Sequence, residues 1–295
     1  MKNSVFLIVF SMFLLNCTAR SGRNAVKKED YELNRATEQK AVLILFPCFP
    51  CDREHTKTEA YFLKDIEKKG ITTLLLDYNQ KLFLTQTEKE KIAGRLNSIL
   101  DQHHIEKKNI FIGGFSGGGN VAFLLSAFLK KNHDPLHPKG LLVVDSPIDL
   151  EKLYHNAEKD VTANIDSDAV EEGKFLTALF EKELGKPDEH PEAYKSASPY
   201  LISSNSVENI QYLKDTKIRF YCEPDLEWQQ QNKGRTFEDL NAFVLKKANE
   251  ALLNLGNPAT EYIETKNRGI RANGKKHPHS WNIVEQGELV KWMLD

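Results

Sequence analysis

An α/β fold on a mainly parallel sheet follows from three features of this 295-residue chain. Short, continuous apolar runs recur, as strands covered on both faces require. Stretches with apolar residues at helical spacing separate them. Runs and stretches alternate, an order that places helices on both faces of a parallel sheet. About six strands are expected.

The first strand is the run at 41–46, Ala-Val-Leu-Ile-Leu-Phe. Residues 56–69 have helical composition, with Tyr61, Phe62 and Ile66 apolar. The second strand is 71–76, ending at Asp77. A helix over 87–100 carries Ile92, Leu96, Ile99 and Leu100 on one face. Residues 109–113 form the next strand, a helix runs over about 118–130, and 141–144 is a further strand. The alternation then stops. Residues 149–214 hold short helical pieces and polar loops, which predicts a small helical cap inserted above one end of the sheet. Alternation resumes with a strand at 218–222, a helical region over 226–255, a strand at 261–263 and a final amphipathic helix over 283–294.

Composition narrows the function. The chain is 40% hydrophobic, enough for a sizeable core, and its formal net charge is -2. It has no long basic block, so a nucleic-acid partner is not expected. Residues 5–15 are almost wholly apolar after the basic start Met1-Lys2-Asn3. That is short of the roughly 20 residues of a membrane span and suits a signal-peptide core. Leu14-Leu15-Asn16-Cys17 resembles the lipobox of bacterial lipoproteins, although Asn16 departs from the commoner Gly, Ala or Ser. The resemblance implies a signal peptide over 1–17, lipidation of Cys17, and an exported protein anchored in the cell envelope, periplasmic or at the surface. An ordinary secretory signal with an incidental cysteine is the alternative. Residues 18–36 are polar and read as a tether, followed by a domain over 37–295.

Gly114-Phe115-Ser116-Gly117-Gly118 lies between a predicted strand and a predicted helix. That is the context of a Gly-x-Ser-x-Gly nucleophile elbow, in which a tight turn leaves the serine hydroxyl exposed above the sheet. A serine hydroxyl needs a base, a group to orient that base and donors for an oxyanion. Asp225, just past the strand at 218–222, is the candidate acid, with Glu223 as its local rival and Asp145 and Asp149 as more distant ones. His279, after the last strand and before the last helix, is the candidate base, with His277 as its competitor.

With these residues in order, positions 40–295 resemble the α/β-hydrolase superfamily. Residues 114–118 match its elbow, Glu223-Pro224-Asp225 its Glu-x-Asp turn, and His279-Ser280-Trp281 the His-Ser-Trp of many of its esterases. The resemblance implies a Ser116–Asp225–His279 triad and a serine hydrolase working through an acyl-enzyme, an esterase before a peptidase. It also implies an oxyanion hole from the backbone N–H of Gly117 and one from the loop 47–51. That loop has Pro47-Cys48 where many relatives carry His-Gly. Phe49 is the first choice of donor and Cys48 the second, since Pro47 and Pro50 have no N–H.

Cys48-Phe49-Pro50-Cys51 can close a small disulfide in an oxidising compartment, leaving Cys222 free. Its rival reading is a thiol–disulfide protein using Cys48 and Cys51, because C-x-x-C between a strand and a helix is a redox arrangement. A hydrolase-fold binding protein without catalysis is a further alternative. No cofactor is expected. No metal is expected either, as neither His103-His104 nor His277 with His279 has the spacing of an established site. Tyr154, Phe175, Tyr194 and Tyr200 either line an acyl pocket or build the core of the insertion.

Overall fold

The computed structural model describes residues 25–77 and 81–295. The proposed signal peptide and Cys17 lie outside the described residues. Eight strands form one sheet: β1 (Ala25–Lys27), β2 (Tyr31–Asn34), β3 (Ala41–Phe46), β4 (Ile71–Leu76), β5 (Ile110–Phe115), β6 (Gly140–Val144), β7 (Lys217–Cys222) and β8 (Thr260–Glu264). Their order across the sheet is β1-β2-β4-β3-β5-β6-β7-β8. The six strands β3 to β8 pair in parallel, as the alternation predicts. The remaining two are additions at one edge. β1 pairs with β2, and β2 with β4, both antiparallel. They occupy residues expected in the tether, which therefore does not extend to 36. Tyr31 and Leu33 supply the reason, since both are buried against the sheet's main core.

The core strands are apolar along their whole length because alternate side chains enter two different cores. Val42, Ile44, Ile110 and Ile112 face the layer built by α2 (Gln86–Gln102), α3 (Gly117–Lys131) and α8 (Asn241–Asn254). Leu43, Leu45, Phe111 and Phe115 face the opposite layer, with Trp281, Trp292 and Met293. Thr85 starts α2 with a capping box: its hydroxyl accepts from Glu88 N, and Glu88 returns the bond to Thr85 N. The stretch expected as one helix over 56–69 is broken. α1 (Arg53–Glu59) ends at Ala60, and two 3-10 turns follow. The region 226–255 is likewise divided, into α7 (Leu226–Lys233), which Gly234 ends in a left-handed conformation, and α8. The final helix is α9 (Gln286–Leu294), shorter than expected, after a 3-10 turn at Trp281–Ile283.

Between β6 and β7 the chain forms the expected cap: α4 (Leu150–Ala163), α5 (Ser167–Glu183) and α6 (Pro191–Ala197). Tyr154, Phe180 and Tyr194 make a separate core there, together with Leu82 from the main domain. Gly173 lets α5 approach α4 closely, since a Cβ on it would lie 2.7 Å from the carbonyl oxygen of Ala157. Of the four aromatics singled out in the sequence, Tyr154 and Tyr194 belong to the cap's core and Tyr200 to the main core. Phe175 is half exposed and stacks on Phe49, at 6.0 Å between ring centroids.

Candidate active site

Ser116 sits where β5 becomes α3, with φ 54° and ψ -130°. A side chain rarely adopts this backbone, so the surroundings must hold it. Two glycines make that possible. A Cβ on Gly114 would lie 2.2 Å from the carbonyl carbon of Gly118, and one on Gly118 would lie 2.1 Å from the carbonyl oxygen of Pro47. The Ser116 N–H donates to Val144 O at 3.0 Å, tying the turn to the end of β6. The result is a half-buried serine at the end of β5, where the sequence reading expects an exposed hydroxyl.

The imidazole of His279 follows from its neighbours. Trp281 is fully buried and packs against Phe62 and Phe115. The Ser280 hydroxyl donates to Ile270 O and accepts from Asn282 N. Between these anchors the His279 ring lies over Phe115, at 4.4 Å between centroids. Its Nδ1 is 2.7 Å from Oδ2 of Asp145. An ionised carboxylate only accepts, so Nδ1 carries the proton and Nε2 is left with its lone pair free.

Asp145, a distant rival in the sequence, is therefore the carboxylate that reaches His279. The reason is register. β6 lies beside β5, with Phe115 paired to Val144, so the next residue on each strand, Ser116 and Asp145, emerges at the same rim. Asp145 has φ 40°, and its N–H donates to Tyr221 O at 2.8 Å. Its own carbonyl accepts from Nδ2 of Asn241.

The expectation that Asp225 orients His279 is not met. Asp225 caps α7, accepting from Trp228 N, and its other oxygen is 2.5 Å from Nζ of Lys276. Burial alone would raise its pKa, but the bond from Lys276 brings it below the usual carboxylate range. The remaining rivals are also occupied. Glu223 is buried and accepts from Arg268 N, Gly269 N and the Thr265 hydroxyl, which makes it the anchor of the loop after β8. Asp149 caps α4 and accepts from Ile202 N, and burial raises its pKa to about 6. His277 packs on Trp228 rather than facing Asp145, and burial, followed by the charge of Arg271, lowers its pKa to about 4.

The oxyanion candidates lie side by side. A Cβ on Gly117 would stand 3.1 Å from Cβ and 3.6 Å from the backbone nitrogen of Phe49. Neither N–H donates to a protein acceptor among the described residues. Gly117 also opens α3, whose N-terminal end favours negative charge. Cys48 and Cys51 are joined as a disulfide that brackets Phe49, and Cys222 is the free, buried cysteine among the described residues. His55 Nδ1 lies 3.6 Å from the Cys48 sulfur. Cys48, Cys51 and His55 cluster closely, but with both sulfurs in the disulfide they offer no thiolates to a metal.

Ser116, Asp145, His279 and Phe49 line one cavity of about 330 Å³, walled by the cap through Leu153, Gly173 and Leu176. No hydrogen bond joins Ser116 to His279 among the described residues.

No family model matches the chain, and no curated protein matches it. Solved structures do. EstE5, solved after soaking with p-nitrophenyl butyrate, aligns over 92% of this chain and 84% of its own at 14% identity and a TM-score of 0.56. Carboxyl esterase 2 of the mycorrhizal fungus Tuber melanosporum aligns over 79% of this chain and 70% of its own, at 17% identity and a TM-score of 0.53. MPT51 of Mycobacterium tuberculosis aligns over 92% and 98%, at 11% identity and a TM-score of 0.57. The fold is thus the α/β-hydrolase fold.

Proposed function

We propose that this protein is a serine hydrolase acting on carboxylic esters, with Ser116 as nucleophile, His279 as base and Asp145 as the acid that orients it. The observation that carries this reading is the His279–Asp145 bond at the rim where Ser116 opens on the same cavity. Esterases among the solved structures of this fold support the choice of ester over peptide.

In the proposed reaction Ser116 Oγ attacks the ester carbonyl and its proton passes to His279 Nε2. Asp145 stabilises the imidazolium that forms. The oxyanion receives the N–H groups of Gly117 and Phe49. The C–O bond then breaks, and the alcohol leaves with the proton from His279. Water attacks the acyl-enzyme and gives a proton to the same nitrogen; the bond from the carbonyl carbon to Ser116 Oγ breaks, the proton passes from His279 to Oγ, and the acid leaves. From the sequence of residues 1–17 we further propose that Cys17 carries a lipid that anchors the domain to the cell envelope.

A fluorophosphonate probe tests the central claim. Wild-type protein is expected to be labelled and to hydrolyse p-nitrophenyl butyrate, and Ser116→Ala to do neither. Folded wild type that takes no label and turns over no ester would overturn it.

A further inference from the structure

Among the described residues the active-site cavity contains one cationic side chain with no partner. Arg271 lines the cavity with Ser116 and His279. Its guanidinium makes no hydrogen bond and no ion pair among the described residues, and its Nε is buried with nothing to donate to. The other cations of the cavity are engaged. Arg235 pairs with Asp160, and Lys233 with Asp166. The interior acids are engaged as well: Asp145 with His279, Asp239 with Lys159, and Glu223 with three donors of the loop after β8. Asp168 and Glu172 are exposed residues of α5.

Arg271 is also held in place. Its backbone N–H donates to Lys275 O, and Gly274 N donates to Arg271 O, closing a tight turn. The preceding residue, Ile270, accepts at its carbonyl from Ser280 Oγ and Asn282 Nδ2, so the turn is tied to the segment that carries His279. Burial works against the charge of Arg271, and only the more distant carboxylates of Glu59 and Asp145 favour it. An unpaired, partly desolvated guanidinium is costly unless an acceptor arrives, and its planar fork matches a carboxylate.

Resting on the proposed esterase reading, we infer that Arg271 binds a carboxylate of the substrate, so that the preferred substrates are esters carrying a free carboxylate on the acyl or the alcohol side. A single guanidinium balances the single charge of a carboxylate; a phosphate dianion would need a second free cation, which the engaged Lys233 and Arg235 do not supply. Arg271 is a specificity residue here, not a group that moves a proton.

Two matched pairs of esters test this. On the acyl side p-nitrophenyl hemiglutarate is compared with p-nitrophenyl valerate, and on the alcohol side 4-carboxyphenyl butyrate with 4-carbamoylphenyl butyrate. The readout is the ratio of kcat/KM, charged over neutral, so a general loss of activity cancels. A preference of about tenfold to a hundredfold for the charged member of at least one pair is expected, the range of a hydrogen bond to a charged group. Arg271→Gln is expected to bring that ratio to about one, and Arg271→Lys to restore part of it. A direct measurement stands apart from turnover: glutarate or benzoate binding to the Ser116→Ala protein by calorimetry, lost in Ser116→Ala/Arg271→Gln. Hydrolysis of the neutral esters with no charge preference and no Arg271-dependent binding would overturn this inference and leave the esterase reading intact. Arg271-dependent binding without any turnover would support the carboxylate site while the esterase reading fails.

Discussion

Replacing Asp145 by Asn separates the two candidate acids. The substitution keeps the size of the side chain but removes the charge that faces His279 Nδ1 at 2.7 Å. In the proposed transition state the imidazole is cationic. Taking the charge centres as about 4 Å apart and an effective dielectric constant of about 20, the lost attraction is about 4 kcal/mol. At about 1.4 kcal/mol per tenfold, kcat should fall about a thousandfold. The bond also selects the tautomer that leaves Nε2 basic, so a larger loss is consistent with the same argument. Asp225→Asn loses an ion pair with the exposed Lys276 but keeps a side-chain oxygen to cap α7, so little stability is lost. Its kcat should stay within about threefold of wild type. Initial rates on p-nitrophenyl butyrate, with circular dichroism to verify folding, decide between them. A folded Asp145→Asn protein with near wild-type kcat, or a folded Asp225→Asn protein that is inactive, would refute the assignment.

Three further perturbations follow from the geometry. Gly118→Ala forces a Cβ onto the Pro47 carbonyl oxygen, and about 3 kcal/mol of overpacking should lower Tm by roughly 10 °C in calorimetry. Reducing the Cys48–Cys51 disulfide, or Cys48→Ser/Cys51→Ser, frees the loop that presents the Phe49 N–H; kcat should drop by roughly tenfold to a hundredfold with little change in KM, and stability by about 2 kcal/mol. Activity unchanged by reduction would remove Phe49 from the oxyanion hole. His277 is held neutral in the fold down to about pH 4, against an ordinary imidazole value of 6.5. The unfolded chain therefore binds more protons between those values, and that part of the stability is complete above pH 6.5 and lost as pH falls towards 4. Thermal melts of His277→Gln across this range should show a shallower decline than wild type.

Most of the parallel sheet was legible because its strands are buried on both faces. Such strands leave unbroken apolar runs, and the expected run at 41–46 coincides with β3 and that at 71–76 with β4. The edge was not legible. Tyr-Glu-Leu-Asn at 31–34 is too short and too polar to signal a strand, and only contact with β4 and the main core makes it one. The division of 226–255 into two helices was hidden for a related reason, since helical composition runs on past the Gly234 cap.

Ser116, with its flanking glycines, could be found from local sequence because the constraint that defines it is local. A sharp turn between strand and helix tolerates no Cβ at positions 114 and 118, and glycine is the only residue that meets that demand. His279 was legible through Ser280 and Trp281, which anchor the segment that carries it: Ser280 bonds Ile270 O, and Trp281 packs on Phe115, the ring that backs His279. Which carboxylate meets His279 was decided by tertiary structure. Asp145, Asp149, Glu223 and Asp225 all follow strand ends, and the local pattern that favours Asp225, the Glu223-Pro224-Asp225 turn, does not report which carboxylate reaches the imidazole. What ranks them is the pairing of β6 with β5, which brings residue 145 beside residue 116, together with Lys276 and the α7 cap, which draw Asp225 away. The same holds for Arg271, an unremarked residue in a polar turn until the fold turns it into the cavity and leaves it without a counter-charge. Side-chain identity is set one residue at a time, but which charges meet depends on contacts between segments distant in the chain.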